Sequence, residues 1–345
     1  MKKIFLFAII ACSFGLNAQD VHFSQVMNNP LQINPGNVGG FFGNERIVLN
    51  YRSQWASAGA PYKTMGFSFD MPMFQRDNTK AHLGVGLSVF NDVAGTSKYS
   101  TTAPALTVGG IVPVGKSSYF TTAIQMGYTM NSINLSAVGW GTQFNGDEYD
   151  PALPSMENAT SVSAGTFDLG AGLRYAYDAR NETFAGFNIA RFEIGFGAYH
   201  LTQPSLNFLV AKDRIYTRYV GQTSARIDLT NANFGFMPYF VMFMQGPYQE
   251  INGGMLFRWK LSDGTKITGY KTETALYFGG HYRVNDAFVT QVLFEYGSWG
   301  LGISYDMTTS TFKTVNNLNG GMEISVKWHD LKGVLFKKRV NSRIN

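Results

Sequence analysis

Segments of about ten residues that alternate large apolar side chains with Gly, Ser or charged ones recur along this chain of 345 residues. The run Trp299, Leu301, Ile303, Tyr305, Met307, interleaved with Gly300, Gly302, Ser304 and Asp306, shows the pattern cleanly. A strand sends successive side chains to opposite faces, so such a segment has one greasy face and one small, polar face. Its length suits a tilted strand crossing a bilayer. The usual globular expectation is then inverted, with the apolar face toward lipid and the polar face toward a hydrated interior.

Composition agrees. Charged residues make up 15% of the chain, against roughly 25% in soluble proteins. Phe and Tyr contribute 28 and 18 residues and Gly 38. A soluble β-sandwich or propeller also alternates, but should carry more surface charge and fewer aromatics. Mean hydropathy is only −0.09, and past the N-terminal apolar run there is no stretch long enough for a transmembrane helix. A closed barrel is the remaining way to satisfy every backbone group in lipid. The expected fold is therefore all-β: a transmembrane antiparallel barrel of outer-membrane type with about 14 strands.

The first residues set the compartment. Lys2 and Lys3 precede an apolar run from Ile4 to Leu16, and Ala18 offers a small residue for cleavage before Gln19, the layout of a secretory signal over 1–18. A competing reading takes Ile9-Ile10-Ala11-Cys12 as a lipoprotein box. Cys12 is the only cysteine, so signal cleavage leaves none, and disulfide and thiol chemistry are excluded. Losing both lysines lowers the net charge from +5 to +3, too weak a bias to argue for nucleic acid.

Strands are expected near 44–52, 63–71, 82–91, 102–112, 119–131, 166–178, 184–202, 214–229, 235–245, 250–261, 274–284, 287–297, 299–308 and 319–328. Trp140, Tyr177, Tyr282, Trp299 and Trp328 would supply interfacial girdles. The longest loop, about 132–165, carries Asp147, Glu148 and Asp150, whose spacing matches no calcium loop and reads as a solvated acidic loop.

Four parts follow: the signal at 1–18, a non-strand segment at 19–43, the barrel at 44–328 and a basic tail at 329–345. Two Asn-Pro steps, Asn29-Pro30 and Asn34-Pro35, make 19–43 neither helix nor regular strand, and it is expected to pack in or under the barrel. Asp168, Arg174, Arg258, Arg283, Glu295, Asp306 and Glu323 would point into the lumen. Their mixed signs favour a filled lumen over a selective pore. Arg46 and Arg52 would anchor the plug through carboxylates. Histidines 22, 82, 200, 281 and 329 show no metal-ligand spacing, and no nucleophile elbow or phosphate loop occurs. No catalysis, metal or cofactor is expected.

Several short motifs are familiar in combination: His22-Phe23-Ser24-Gln25 with Asn34-Pro35, Asn50-Tyr51-Arg52-x-Gln54-Trp55, Tyr62-x-Thr64, Tyr199-His200-Leu201 with Pro204, Arg218-Tyr219, Pro238-Tyr239 with Gln245, and Ser304-Tyr305-Asp306 with Gly320-Gly321 and Glu323-Ile324. In order and spacing they resemble the PorP/SprF family over nearly the whole mature chain. Gly36, and Gly39-Gly40, depart from the more usual Ala and Thr-Gly. The resemblance implies an outer-membrane barrel of Bacteroidota that assists type IX secretion and gliding motility. It implies as partners outer-membrane lipid, a secreted adhesin or its C-terminal sorting domain, and periplasmic secretion components. Candidate partner-binding or plug residues are His22, Phe23, Gln25, Asn34, Pro35, Tyr51, Arg52, Gln54, Trp55, His200, Pro204, Tyr305, Asp306 and Glu323. The alternative is a channel or transporter for small solutes or fatty acids.

Overall fold

The computed structural model describes residues 20, 22–58, 61–75, 80–95, 97–115, 117–134, 139–156, 161–178, 187–208, 211–229, 232–262 and 272–330. The expected signal and the basic tail beyond Asp330 lie outside the described residues. Sixteen strands occur among them: β1 (Glu45–Gln54), β2 (Tyr62–Met73), β3 (His82–Ala94), β4 (Tyr99–Pro113), β5 (Ser118–Asn134), β6 (Ser161–Tyr177), β7 (Phe187–Tyr199), β8 (Ser205–Phe208), β9 (Ala211–Arg214), β10 (Arg218–Leu229), β11 (Phe234–Gln245), β12 (Tyr248–Ser262), β13 (Thr274–Arg283), β14 (Ala287–Tyr296), β15 (Trp299–Thr308) and β16 (Asn319–Asp330). No described helix is long and apolar enough to cross a membrane.

Period-two patterning becomes two faces. Along β15, Trp299, Leu301, Ile303, Tyr305 and Met307 face outward and are exposed, while Ser304 and Asp306 face inward at 1% exposure. Apolar side chains standing outside and carboxylates inside is what a lipid solvent selects. Fourteen strands, β1–β7 and β10–β16, pair antiparallel with their sequence neighbours, and β1 closes on β16 from Glu45↔Asp330 to Gln54↔Gly321. Closure removes the sheet edges that hydrocarbon would leave unsatisfied.

Three sequence expectations need correction. β5 and β6 run further than expected, pairing out to Asn134↔Ser161, so the loop expected at 132–165 is confined between those residues. Trp140 consequently sits in that loop, ahead of the short 3-10 turn Gly141–Gln143, and not at a strand end. The strand expected at 184–202 stops at Tyr199 as β7, because His200 and Gln203 adopt positive φ (56° and 43°) and Pro204 follows. Left-handed backbone and a proline both interrupt a ladder. The chain then forms a separate hairpin, β8–β9, before β10.

The two barrel ends differ. At the end where β1 begins, the connections are 74–81, 114–117, 178–186, 230–233, 263–273 and 297–298. At the other they include 135–160 and 200–217. Long connections mark the extracellular end of such barrels, so the rim at Glu45 and Asp330 is periplasmic. Near that rim, Trp299 and Trp328 meet at 6.4 Å and Phe234 stacks on Trp259 at 5.9 Å, an aromatic girdle. At the outer rim, Trp55 packs against Tyr62 and Phe312 at 5.1 and 5.2 Å.

The lumen is not uniformly polar, as alternation alone would have it. On the side of β10–β14, Val220, Tyr239, Val241, Phe243, Leu256, Tyr277 and Leu293 form an apolar cluster with Val26 and Ile33. The last two belong to the N-terminal segment, so this side of the interior is a core rather than a water column.

Candidate functional site: the N-terminal plug and its vestibule

Pro30 and Pro35 each open a short turn, Pro30–Ile33 and the 3-10 turn Pro35–Asn37. A proline suits a first helical position because its missing N–H has no helical partner there. The Asn34 side chain bridges the two turns and the wall: Oδ1 accepts from the Gly36 N–H at 2.8 Å, and Nδ2 donates to the Leu173 carbonyl at 2.9 Å. A segment so short of repetitive structure depends on such side-chain bonds to satisfy its buried backbone.

The periplasmic half of the plug is held by ion pairs and bare wall. Arg46 grips Asp70 bidentately, both bonds at 2.8 Å, and Asp70 Oδ2 also accepts from the Gly39 N–H at 2.8 Å. Arg174 binds Glu193 at 3.0 Å and donates to the Gly40 carbonyl at 2.9 Å, and Arg191 donates to that carbonyl as well. Two glycines permit the approach. A Cβ on Gly84 would run into the Val38 carbonyl, and one on Gly172 into Asn34 Oδ1 and the Gly36 nitrogen.

Midway, β1, β15 and β16 present a polar cluster to residues 22–28. Ser24 donates its N–H to Glu323 at 2.5 Å and its hydroxyl to Asp306 at 2.6 Å. Arg52 donates to the His22 carbonyl at 2.8 Å and to Asp306 at 3.0 Å, and Arg283 reaches the same Asp306 oxygen at 2.9 Å. Gln25 donates to the Glu323 carbonyl at 3.2 Å and accepts from Ser325 at 2.7 Å and Asn28 at 2.8 Å. Asn50 donates to Glu323 at 3.1 Å. Buried charges of both signs, paired and hydrogen-bonded, fix one position of the plug.

At the outer end Asp20 is latched. Its carboxylate lies 2.6 Å from His200 Nε2 and 3.3 Å from Arg218, and its N–H donates to Gln245 at 3.0 Å. His200 Nδ1 faces Asp168 at 2.8 Å. Burial alone would discharge His200, but the two aspartates win and push its pKa up to about 9. Burial would likewise raise Asp20, yet Arg218 and His200 hold its carboxyl well below the usual range. His22 has weaker support. Burial outweighs Glu250, 3.3 Å away, and with Arg283 and Arg52 nearby its pKa falls to about 4.

Above the plug lies a cavity of about 1190 Å³, floored by Asp20, His22, Leu31 and Gln32 and rimmed by Trp55, Tyr62, Tyr99, Tyr216 and Tyr248. These rim residues stand at the outer strand ends, so the cavity is an extracellular vestibule. The plug crosses the lumen from one rim to the other: β1 begins at the periplasmic rim, whereas Asp20 is held at the outer end by His200 and Gln245.

Of the sequence candidates, His22, Phe23, Gln25, Asn34 and Pro35 belong to the plug, and Arg52, Asp306 and Glu323 hold it. Phe23 is buried against Gly66. His200 forms the latch, and buried Pro204 ends the β7 turn, its carbonyl accepting from the Ile215 N–H at 3.0 Å. Gln54 lines the vestibule and Trp55 its rim. Tyr51 and Tyr305 are not brought to this site, since both stand on the lipid face. Sequence reasoning did not single out Asp20, Asn28, Asp70 and Ser325, and it gave Ser24 and Arg218 only as parts of motifs. Neutral asparagines and serines carry no charge pattern, and their pairing becomes visible only once strands close.

Among solved structures, the toluene transporter TbuX of Ralstonia pickettii aligns at 10% identity over 90% of this chain and 96% of its own, with a TM-score of 0.46. A FadL homologue of Pseudomonas aeruginosa aligns at 10% identity over 88% and 94%, also at 0.46. The monoaromatic hydrocarbon channel CymD aligns at 11% over 91% and 96%, at 0.44. No curated protein matches the chain. The family model described as type IX secretion system membrane protein PorP/SprF matches residues 15–328. This chain is thus an outer-membrane β-barrel and belongs to the PorP/SprF family of type IX secretion system membrane proteins.

Proposed function

We propose that this barrel assists type IX secretion by docking or retaining, at the cell surface, a secreted adhesin that carries a C-terminal sorting domain, and that it performs no chemistry of its own. The observation that carries this reading is the plug. Ion pairs and hydrogen bonds anchor residues 22–46 along the height of the lumen, which suits a rigid platform better than a conduit. The outer loops would receive the client, and the periplasmic rim would meet secretion components.

Deleting the gene should strip one large adhesin from the cell surface while other type IX clients remain displayed. Quantitative proteomics of shaved cells and culture medium reads this. Unchanged display of every surface protein would overturn the proposal. A second reading, uptake of small solutes or fatty acids, draws support from the aromatic-rimmed vestibule of about 1190 Å³. It requires a plug that yields.

A further inference from the structure

Five carboxylates line the vestibule, and four of them have partners within the chain. Asp20 and Asp168 share His200, Asp286 meets Arg283, and Glu250 takes His22, Tyr248 and Asn252. Asp92 on β3 differs. It is 6% exposed, yet its one partner among the described residues is the Thr64 hydroxyl, which donates to Oδ1 at 2.7 Å. Oδ2 has none. Arg52, whose charge reaches Asp92, donates instead to Asp306 and the His22 carbonyl. A buried carboxylate without a cation is costly, so one that lines an open cavity points to a cation supplied from outside.

Strand register surrounds this carboxylate with aromatic rings. Thr64 lies opposite Asp92 on β2, and Thr101 lies opposite it on β4. Period two then puts Phe90, Tyr62 and Tyr99 on the same inward face, two residues from Asp92, Thr64 and Thr101 respectively. All three line the cavity. Neighbours at such diagonals stand about 7–8 Å apart at the backbone, within reach of aromatic side chains. Trp55 braces Tyr62 edge-on at 5.1 Å. Among the described residues, plug residues 20–28 form no hydrogen bond or ion pair with β3 or β4.

A carboxylate set among electron-rich rings receives an organic cation, because the charge pairs with the acid while the flank of the ligand packs on the rings. Other ligands fit less well. A calcium ion takes about six to eight oxygens, and here one carboxylate and two threonines are at hand. A neutral sugar needs free amides and hydroxyls, but Gln125 already donates to Thr107 at 3.0 Å and Thr101 to Asn131 at 2.8 Å. We propose that the outer vestibule binds a primary ammonium or guanidinium at Asp92, held by the carboxylate and by the rings of Tyr62, Phe90 and Tyr99. The cation arrives from the extracellular side, as a free amine or on the side chain of a peptide. This site goes beyond the client-docking reading and does not depend on it.

Isothermal titration calorimetry on the whole protein in lipid nanodiscs tests it, with butylamine, N-acetyl-lysinamide and the uncharged isostere N-acetyl-norleucinamide as probes. Both cations should bind with a Kd of about 1 mM or tighter, and norleucinamide should not saturate. Asp92→Asn should weaken both at least about tenfold, and Phe90→Leu about threefold. Asp286→Asn, which removes a different acid from the same cavity, should leave both unchanged. Butylamine bound as tightly as N-acetyl-lysinamide identifies a free amine as sufficient, and tighter binding of the lysinamide identifies a peptide side chain; either order upholds the site. No cation binding up to about 10 mM, norleucinamide binding equal to lysinamide, equal losses at Asp92 and Asp286, or maltose binding in place of the cations would overturn the proposal. The norleucinamide comparison uses the unaltered protein, so it decides the matter even where Asp92→Asn fails to insert.

Discussion

At Asp306 one buried carboxylate oxygen accepts from Ser24, Arg52 and Arg283 at 2.6, 3.0 and 2.9 Å. Neutralising it leaves two guanidiniums facing each other at low dielectric, and removing one member of a buried pair costs about 3–5 kcal/mol. Asp306→Asn should accordingly lower the urea midpoint of the refolded barrel and free the plug, read as new proteolytic cuts in residues 22–44. The latch adds a pH dependence. His200, raised from an ordinary value near 6.5 to about 9, contributes stability that is complete below pH 6.5 and lost as pH rises through about 9. Asp20, held low by Arg218 and His200 after they overcome burial, contributes stability present above its ordinary value and lost in acid. His22, lowered to about 4, contributes above about 6.5 and loses its contribution as pH falls toward 4. Amide exchange of residues 22–24 should be slowest near pH 6.5, after correction for intrinsic rates, and should quicken both as pH rises toward 9 and as it falls toward 4. His200→Ala should abolish the alkaline limb; an unchanged profile would remove the latch as its cause.

Single elements show what the chain makes legible and what it hides. The strands of the β12–β16 region appear in the sequence almost residue for residue, because lipid on one side and packed polar groups on the other enforce period two. β15 was readable at both ends for that reason. The hairpin β8–β9 was not, since two four-residue strands between a kink and a turn leave no period to count. β11 is apolar on both faces, Phe234 to Met244, because its inward side packs on Val26 and Ile33. No local pattern announces such a contact. Gln25, Asn34 and Arg52 were recognisable from the family motif, while their partners lie across the closed lumen. The wall glycines were likewise silent until the plug met them. Gly172→Val places methyls where Asn34 and Gly36 sit, and overpacking of this kind costs about 1–3 kcal/mol. The barrel strands should persist by circular dichroism while residues 22–44 become protease-sensitive; a plug as resistant as the original would show that the wall relaxes instead.

At the level of the whole molecule, a 14-strand barrel is wider than one that side chains alone can fill, so something must occupy its middle. Here the chain supplies its own filler, threaded from the periplasmic rim at Asn44 to the outer latch at Asp20. The cavity above it is lined by residues at the outer strand ends, Trp55, Tyr62, Tyr99 and Tyr248 among them. A sealed platform and a gated channel part company on one measurement. With the plug anchored as Arg46–Asp70, Arg52–Asp306 and Asp20–His200 hold it, the purified protein in a planar bilayer should pass no steady current at pH 7. The double variant Asp70→Asn with Asp306→Asn cuts the lower and middle anchors while leaving lipid-facing side chains untouched, and should open the lumen to sustained conductance. Steady openings in the unaltered protein would favour solute passage over client docking, because a resting plug that leaves a water path cannot be what keeps the barrel closed.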